Sequence, residues 1–396
     1  MRKIAATYIF TGNQPPLKNG IVTVDDNGTI LKIENQTTIS EQHGLEFYSG
    51  ILTPGFVNAH CHLELSQLEG KIEEQTGIGG FVGKINQLRN NDFGDIEKIM
   101  HTADRKMWAA GISAVGDISN SIISAETKLN SKIYYHTFIE SFGFHPSRAE
   151  KAYDYACFLE EFFAGHQMPC SVTPHAPYSV SALLFEKIST HVGAKKSIVS
   201  MHNQESKGET EFFASGSGEI ASHIAENLGI DISHWQPTGQ SSLVSVLKYL
   251  PANNPLLLVH NTFTAQADID VLLQQRSDEN TFLVLCPNSN LYIENQLPPV
   301  ELFRQNKLPI CLGTDSLASN HQLSVLEEMK TLQRNFAGIQ LEELVQWACL
   351  NGAKALGVES VFGSFEVGKK PGVNLISGID FKNMKLTEES RVKRLI

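Results

Sequence analysis

A chain of 396 residues with 43 acidic against 32 basic side chains carries a formal charge of −11, which argues against a general nucleic-acid or anionic-membrane surface. Its composition, 41% apolar and 19% charged, supports a sizeable core: one large barrel with a small satellite, or two or three ordinary domains. The charge still allows a small substrate that contains a nucleobase and sits in a pocket.

The chain begins Met-Arg-Lys, and the apolar run that follows ends by Phe10, before Gly12 and Pro15-Pro16. That run is too short for a secretory leader or a membrane span. Cys61, Cys157, Cys170, Cys286, Cys311 and Cys349 are scattered without a Cys-x-x-Cys pair. They read as reduced thiols, so the expected compartment is the cytoplasm. Residues 1–52 look like strands. The stretch 4–11 is rich in β-formers, and 21–24 and 29–34 flank Asp25-Asp26-Asn27-Gly28, a hairpin turn sequence. A small sheet outside the main domain is expected here.

From residue 52 the rhythm becomes strand then helix, repeated. Strands are predicted over 52–60, 112–118, 132–140, 170–175, 197–203, 255–261, 281–287 and 309–315. Helices are predicted over 96–110, 148–164, 181–192, 265–275 and 323–336. Apolar strands alternating with amphipathic helices imply a parallel sheet covered on both faces. Eight such units predict an α/β fold of the (β/α)8 TIM-barrel type, with its active site at the strand C-terminal ends. An open doubly wound sheet is the alternative, weakened by the lack of Gly-x-Gly-x-x-Gly after the first strand. One more helix is expected over 341–356. The turn-rich, then extended segment 363–376 is expected to pair with the N-terminal strands. The domain reading is therefore 1–52 plus 363–396 as a composite β-sandwich and 53–362 as the barrel. The longest irregular stretch, 206–240, reads as a lid.

Polar residues gather where the apolar strands end. Residues 54–59 lead into His60-Cys61-His62, whose two imidazoles share one face of an extended strand, with Cys61 on the other. Later strands end in His202-Asn203-Gln204-Glu205, in His260 and in Asp315-Ser316. Singly, each fits a satisfied core polar group; together, at one end of a barrel, they form a metal site. His60, His62, His202 and Asp315 are assigned to one divalent cation: Zn²⁺ suits this donor set, and Fe²⁺ fits it as well. A two-metal site needs a bridging ligand such as a modified lysine near the fourth strand, and no lysine lies between Ser171 and Glu186. Asp315 is expected to take a proton from the attacking water, and Glu205 to donate one to the substrate. His260 would orient the water and stabilise the tetrahedral intermediate.

These residues match the amidohydrolase superfamily, in its cytosine-deaminase-like and chlorohydrolase-like branch. Pro-Gly-Phe-Val-Asn-x-His-x-His (54–62), Pro-His-Ala-Pro-Tyr-Ser (174–179), His-x-x-Glu (202–205), Cys-Pro-x-Ser-Asn (286–290) and Gly-Thr-Asp-Ser-x-Ala-Ser-Asn (313–320) occur in the family's order. The resemblance implies a metal-bearing barrel, a composite β-sandwich from both termini, hydrolytic deamination of an aromatic amine, and the roles given above. Within the branch, His-Leu-Glu-Leu-Ser-x-Leu-x-Gly-Lys-Ile (62–72), with Thr76-Gly77 and Phe81, looks most like aminodeoxyfutalosine deaminases of menaquinone biosynthesis. His175 matches a family position that contacts the heterocycle. Glu64 is a candidate substrate contact; Tyr178, Phe142 and Phe144 either stack on a ring or pack in the core. Ser66-x-x-Glu69 reads better as a capping box than as a substrate contact. Asn288 stands where many relatives carry Arg, and the 206–240 insertion also falls on the substrate side.

The expected function is a mononuclear metal-dependent deaminase of a 6-aminopurine nucleoside-like compound, with aminodeoxyfutalosine favoured. Its rivals are an S-adenosylhomocysteine/methylthioadenosine, guanine, cytosine or triazine deaminase or chlorohydrolase, a cyclic amide hydrolase, and a barrel serving only as a binding module. The partner expected is a small-molecule substrate, not nucleic acid or membrane, and a homo-oligomer is compatible with the sequence.

Overall fold

The computed structural model describes residues 1–35, 43–88 and 91–396. The N-terminal segment supplies β1 (Arg2–Ile9), β2 (Leu17–Lys18), β3 (Ile21–Val24), β4 (Ile30–Glu34) and β5 (Leu45–Pro54). Eight parallel strands then build the barrel: β6 (Phe56–Cys61), β7 (Ile112–Ser119), β8 (Tyr134–Ser141), β9 (Cys170–Pro174), β10 (Val199–Asn203), β11 (Leu256–His260), β12 (Thr281–Leu285) and β13 (Ile310–Leu312). The chain closes with β14 (Val373–Asp380) and β15 (Lys385–Arg394). Among the described residues no helix is long and apolar enough to cross a membrane.

The barrel strands pair in two runs of four, β6 to β9 and β10 to β13. Backbone bonds join the runs. The His202 N–H donates to the His175 carbonyl at 2.9 Å, and the N–H groups of Thr314 and Asp315 donate to the His60 carbonyl at 3.0 and 3.1 Å. The ring is therefore a closed (β/α)8 barrel, and every residue of β6, β7, β10, β11 and β12 is buried. Inside, Val57, Ala59, Leu257, Val259, Phe282, Val284 and Cys311 pack together, with Ala353, Ala355 and Leu356 in the same cluster. On the outside, helices such as Ile96–Ala109, Ala149–Gly165, Ala182–Lys195 and Gln266–Gln275 cover the strands, as the helical spacing predicts.

The predicted strand 52–60 proves to be two strands, β5 and β6, that meet at Gly55. A side chain there would lie 1.9 Å from Ser113 Oγ and 2.5 Å from the Pro371 carbonyl oxygen, so only glycine lets the chain pass. β5 belongs to a seven-stranded sheet made by both ends of the chain, ordered β15-β14-β5-β1-β3-β4 with β2 on β1. β14 runs antiparallel to β5, with Val373 opposite Pro54. Arg394 pins this sheet to the barrel. Its guanidinium lies 3.4 Å from the centroid of the Trp108 ring and donates to the Ile112 carbonyl at 3.1 Å and to Ser113 Oγ at 3.0 Å.

The segment 206–240 is not irregular throughout. It holds the helix Lys207–Ser215, the turn Glu219–Ser222 and the π-helical turn His223–Asn227. Trp235 stacks on Phe212 at 4.0 Å, and both join Leu68, Ile78, Phe81, Phe144 and Tyr178 in one cluster. Residues 281–287 are likewise strand only as far as Leu285, because Pro287 opens the helix Pro287–Glu294. Helix Gly77–Leu88 is an addition to the predicted set.

Candidate metal centre and its surroundings

Backbone irregularities aim the polar side chains. Between Asn58 and Cys61, β6 carries one more residue than β7, a bulge that shifts the pleat just before His62. Gln204, His260 and Asp315 have φ values of +46°, +75° and +56°: Gln204 directly follows β10, His260 ends β11, and Asp315 lies three residues past β13. Left-handed residues there interrupt the alternation of side chains. Gly313 lets β13 approach β6, since a side chain on it would lie 2.9 Å from His60 Cβ and from Cys286 Sγ.

The result is a close group of donors. His62 Nε2 lies 3.1 Å from His60 Nε2 and 3.3 Å from His202 Nε2. Asp315 Oδ1 lies 3.4 Å from His62 Nε2 and 3.7 Å from His60 Nε2. Asp315 Oδ2 is occupied, accepting from the hydroxyls of Ser289 at 2.6 Å and Ser319 at 2.7 Å, which leaves Oδ1 to face the imidazoles. A tetrahedral ion with bonds of about 2.0–2.1 Å has donor–donor edges of about 3.3 Å; the ring nitrogens of His60, His62 and His202 lie close enough together to hold a metal ion, with Asp315 Oδ1 beside His60 and His62. The His202 Nδ1–H donates to the His175 carbonyl at 3.0 Å, freeing Nε2 for the ion. Burial presses the His60 proton affinity down and that of His62 to about 3, so both stay neutral as a metal requires. Burial alone would raise the Asp315 carboxyl, but the imidazoles of His60, His62 and His260 hold it well below the usual carboxylate range.

Glu205 stands beside this group. Its Oε1 accepts from the Tyr178 hydroxyl, and its Oε2 is 3.3 Å from His260 Nε2. Burial raises its pKa, against the pull of His202 and Tyr178. The His260 ring stacks on His202 at 5.5 Å, and its Nδ1 lies 3.2 Å from Asn290 Nδ2. His175 is also at the mouth. Its ring centroid is 4.9 Å from that of His202 and 6.2 Å from the exposed Phe142, while its Nδ1 lies 2.6 Å from Ser179 Oγ. Glu64 turns instead toward the loop after β7. There it accepts from the Asn120 N–H at 3.1 Å and from the hydroxyls of Ser121 at 3.2 Å and Ser124 at 3.3 Å, and burial lifts it to about 7. Ser66 does not form a capping box: it sits inside the short helix Leu63–Leu68 and donates to the Leu63 carbonyl at 2.8 Å. Asn288 binds Glu328 and Thr331.

Sequence reasoning passed over Glu140, at the end of β8, whose Oε1 is 3.3 Å from His202 Nδ1. Burial would raise it, but His175, His202 and His62 bring it down to about 2. Its signal was the same as that of the ligands: a carboxylate closing an apolar strand. Ser289, Asn290 and Ser319 lay unassigned within two of the quoted motifs.

Behind His62, a fully buried ion pair joins Lys128 Nζ to Asp117 Oδ2 at 2.7 Å, while Asp117 Oδ1 accepts the Leu63 N–H at 2.8 Å. Breaking a buried pair leaves an uncompensated charge. Lys128→Met is therefore expected to cost about 3–5 kcal/mol in urea unfolding, and Lys128→Met with Asp117→Asn to recover more than half of that. Equal losses in the single and double variants would show that the charge is not what matters.

Over residues 51–393 the chain matches the amidohydrolase family. Adenosine deaminase of Helicobacter pylori is 27% identical over 361 residues, 88% of this chain and 83% of that one. The crystal structure of Helicobacter pylori aminofutalosine deaminase in complex with methylthio-coformycin is similar with a TM-score of 0.82 and 22% identity, across 100% of both chains. An adenosine deaminase from Xanthomonas campestris with bound zinc is similar with a TM-score of 0.72 and 21% identity, over 98% of this chain and 87% of that one. With the family match extending over most of its length and a group of three histidines able to hold a metal ion at the mouth of the barrel, the chain belongs to the amidohydrolase family, hydrolases of carbon–nitrogen bonds other than peptide bonds.

Proposed function

We propose that this protein is a mononuclear metal-dependent deaminase that hydrolyses the exocyclic amine of a 6-aminopurine nucleoside-like compound in the cytoplasm. The observation that carries the reading is the grouping of His60, His62 and His202 about one point, with Asp315 Oδ1 3.4–3.7 Å from His62 and His60 and the Glu205 carboxyl against His260. Those four residues would hold the cation, and zinc is favoured by the nitrogen and oxygen donors and by the zinc-bound Xanthomonas campestris deaminase. A divalent cation in this position lowers the pKa of a water to near 7 and so supplies a nucleophile at neutral pH.

The remaining steps belong to the chain's own side chains. Asp315, its carboxylate fixed by the Ser289 and Ser319 hydroxyls, receives the water's proton. His260 keeps the water aimed at C6 of the purine and stabilises the tetrahedral carbon. Glu205, steadied by Tyr178 and His260, delivers a proton to the adjacent ring nitrogen; Asp315 passes the proton taken from water to the exocyclic amine, the C6–N bond breaks to release ammonia, and the hydroxyl proton returns to Glu205 as the C6 carbonyl forms. His175 and Tyr178 are the substrate-binding candidates beside the donor group; Glu64, expected from the sequence to touch substrate, is instead held by Asn120, Ser121 and Ser124.

Aminodeoxyfutalosine is the favoured substrate. The reading is supported by the 62–72 stretch and by the likeness to Helicobacter pylori aminofutalosine deaminase. A panel assay of ammonia release tests it, using aminodeoxyfutalosine, adenosine, methylthioadenosine, S-adenosylhomocysteine, guanine, cytosine, a triazine and a cyclic amide. The highest kcat/KM is expected for aminodeoxyfutalosine. A higher value for a free base, the triazine or the cyclic amide would replace the nucleoside reading.

A further inference from the structure

The turn that carries Glu205 lies between two hydrogen-bond ladders and belongs to neither. β10 ends at Asn203, opposite His260 of β11, and the helix Lys207–Ser215 starts two residues past Glu205. Gln204 between them is left-handed. Buried N–H groups in such a gap need an acceptor. Both go to a single side chain: the Gln204 N–H donates to Glu209 Oε1 at 3.1 Å, and the Glu205 N–H to Glu209 Oε2 at 3.0 Å.

Glu209 is fully buried, and no lysine or arginine among the described residues forms an ion pair with it. Its own N–H donates to Ser206 Oγ at 3.0 Å, so Ser206 caps the helix in the usual way. In a capping box the carboxylate three residues on would return to the cap residue's N–H. Here it reaches past Ser206 to the two residues before it. A carboxylate serving only the helix end would not take both acceptor oxygens to the turn that aims Glu205. Burial pushes Glu209 up to about 8, and the charge of Glu205 adds to that.

We infer that Glu209 is the positioning residue for Glu205, its two carboxylate oxygens holding the Gln204–Glu205 turn so that the Glu205 side chain faces His260 and Tyr178. The inference rests on the reading of Glu205 as proton donor. Four variants test both together: Glu205→Gln, Glu209→Gln, the double variant and Glu209→Asp. Each is measured for kcat and KM on the panel compound with the highest kcat/KM, for bound metal and for thermal melting.

Glu209→Gln is expected to keep one equivalent of metal and a KM within about threefold of wild type, with kcat reduced about 10²-fold. Because Glu209 acts through Glu205, the double variant should be no slower than Glu205→Gln alone. A near-wild-type kcat in Glu209→Gln beside a slow Glu205→Gln overturns the inference, as do multiplied losses in the double variant or a loss that follows metal content. An active Glu205→Gln instead overturns the proton-donor reading itself. Should Glu209→Gln not fold, Glu209→Asp decides: it keeps the carboxyl group but withdraws both acceptors by one methylene. A fall in kcat at unchanged KM and metal content supports the inference, and a wild-type kcat overturns it.

Discussion

Glu205→Gln is expected to lower kcat by about 10²–10⁴-fold while the protein still binds one equivalent of metal. Glutamine keeps the length and planarity of the side chain, so the Tyr178 hydroxyl can still donate to its carbonyl oxygen. It cannot hand over a proton. Glu205 is outside the four-donor group, and its nearest histidine, His260, is not one of the assigned ligands. Metal content and chemistry should therefore separate in this variant. Burial raises the carboxyl above its ordinary value, so Glu205 stays protonated to higher pH than an exposed glutamate does. As a donor it is active below that raised pKa, and kcat is expected to fall on the alkaline side as it ionises. Ammonia release and metal analysis of the same preparation check the prediction, and a near-normal rate would remove Glu205 from the mechanism.

The site was legible because each of its main residues closes an apolar strand, and strand ends on one side of a barrel must come together. His60, His62, His202, His260 and Asp315 all announced themselves in this way. Backbone strain gave no such signal. The bulge in β6 and the left-handed turns at Gln204, His260 and Asp315 decide where the side chains go, yet nothing in those residue types requires a positive φ. Ser66-x-x-Glu69 shows the opposite error, a motif whose spacing is right but whose helix starts earlier, at Leu63. The helix Gly77–Leu88 was hidden by its composition. Gly77, Gly79 and Gly80 lower helix propensity, and the helix gains from tertiary contacts that local sequence does not show: its Ile78 N–H donates to Glu294 Oε1 at 2.8 Å, and Ile78 and Phe81 are buried in the cluster over Tyr178. Glu209 belongs to the same class. Read locally it is a helix-capping glutamate, and only the structure shows that its oxygens serve the turn before the cap.

Removing the metal is expected to abolish turnover, and acid should remove it as chelators do. Binding needs neutral imidazoles, so protons and metal compete. His60 and His62 are pressed down by burial and remain neutral far into the acid range. His202 differs. Burial lowers it, but Glu140, Glu205 and Asp315 together outweigh that and raise it. It is therefore the first of the three to take a proton as pH falls. In metal-free protein, a proton on His202 stabilises the fold below the imidazole's ordinary pKa, and that contribution disappears as pH rises through the raised value. Neutral pH thus favours the metal and acid favours the proton at the same nitrogen. Metal at one hundred times its Kd adds about 2.7 kcal/mol to stability. Dialysis against a chelator at neutral pH should lower Tm and erase activity, and Zn²⁺ should restore both. His202→Ala should bind no stoichiometric metal and melt at one temperature with or without Zn²⁺. Full ammonia release by metal-free protein would mean that the four donors serve the fold and that the chemistry lies elsewhere.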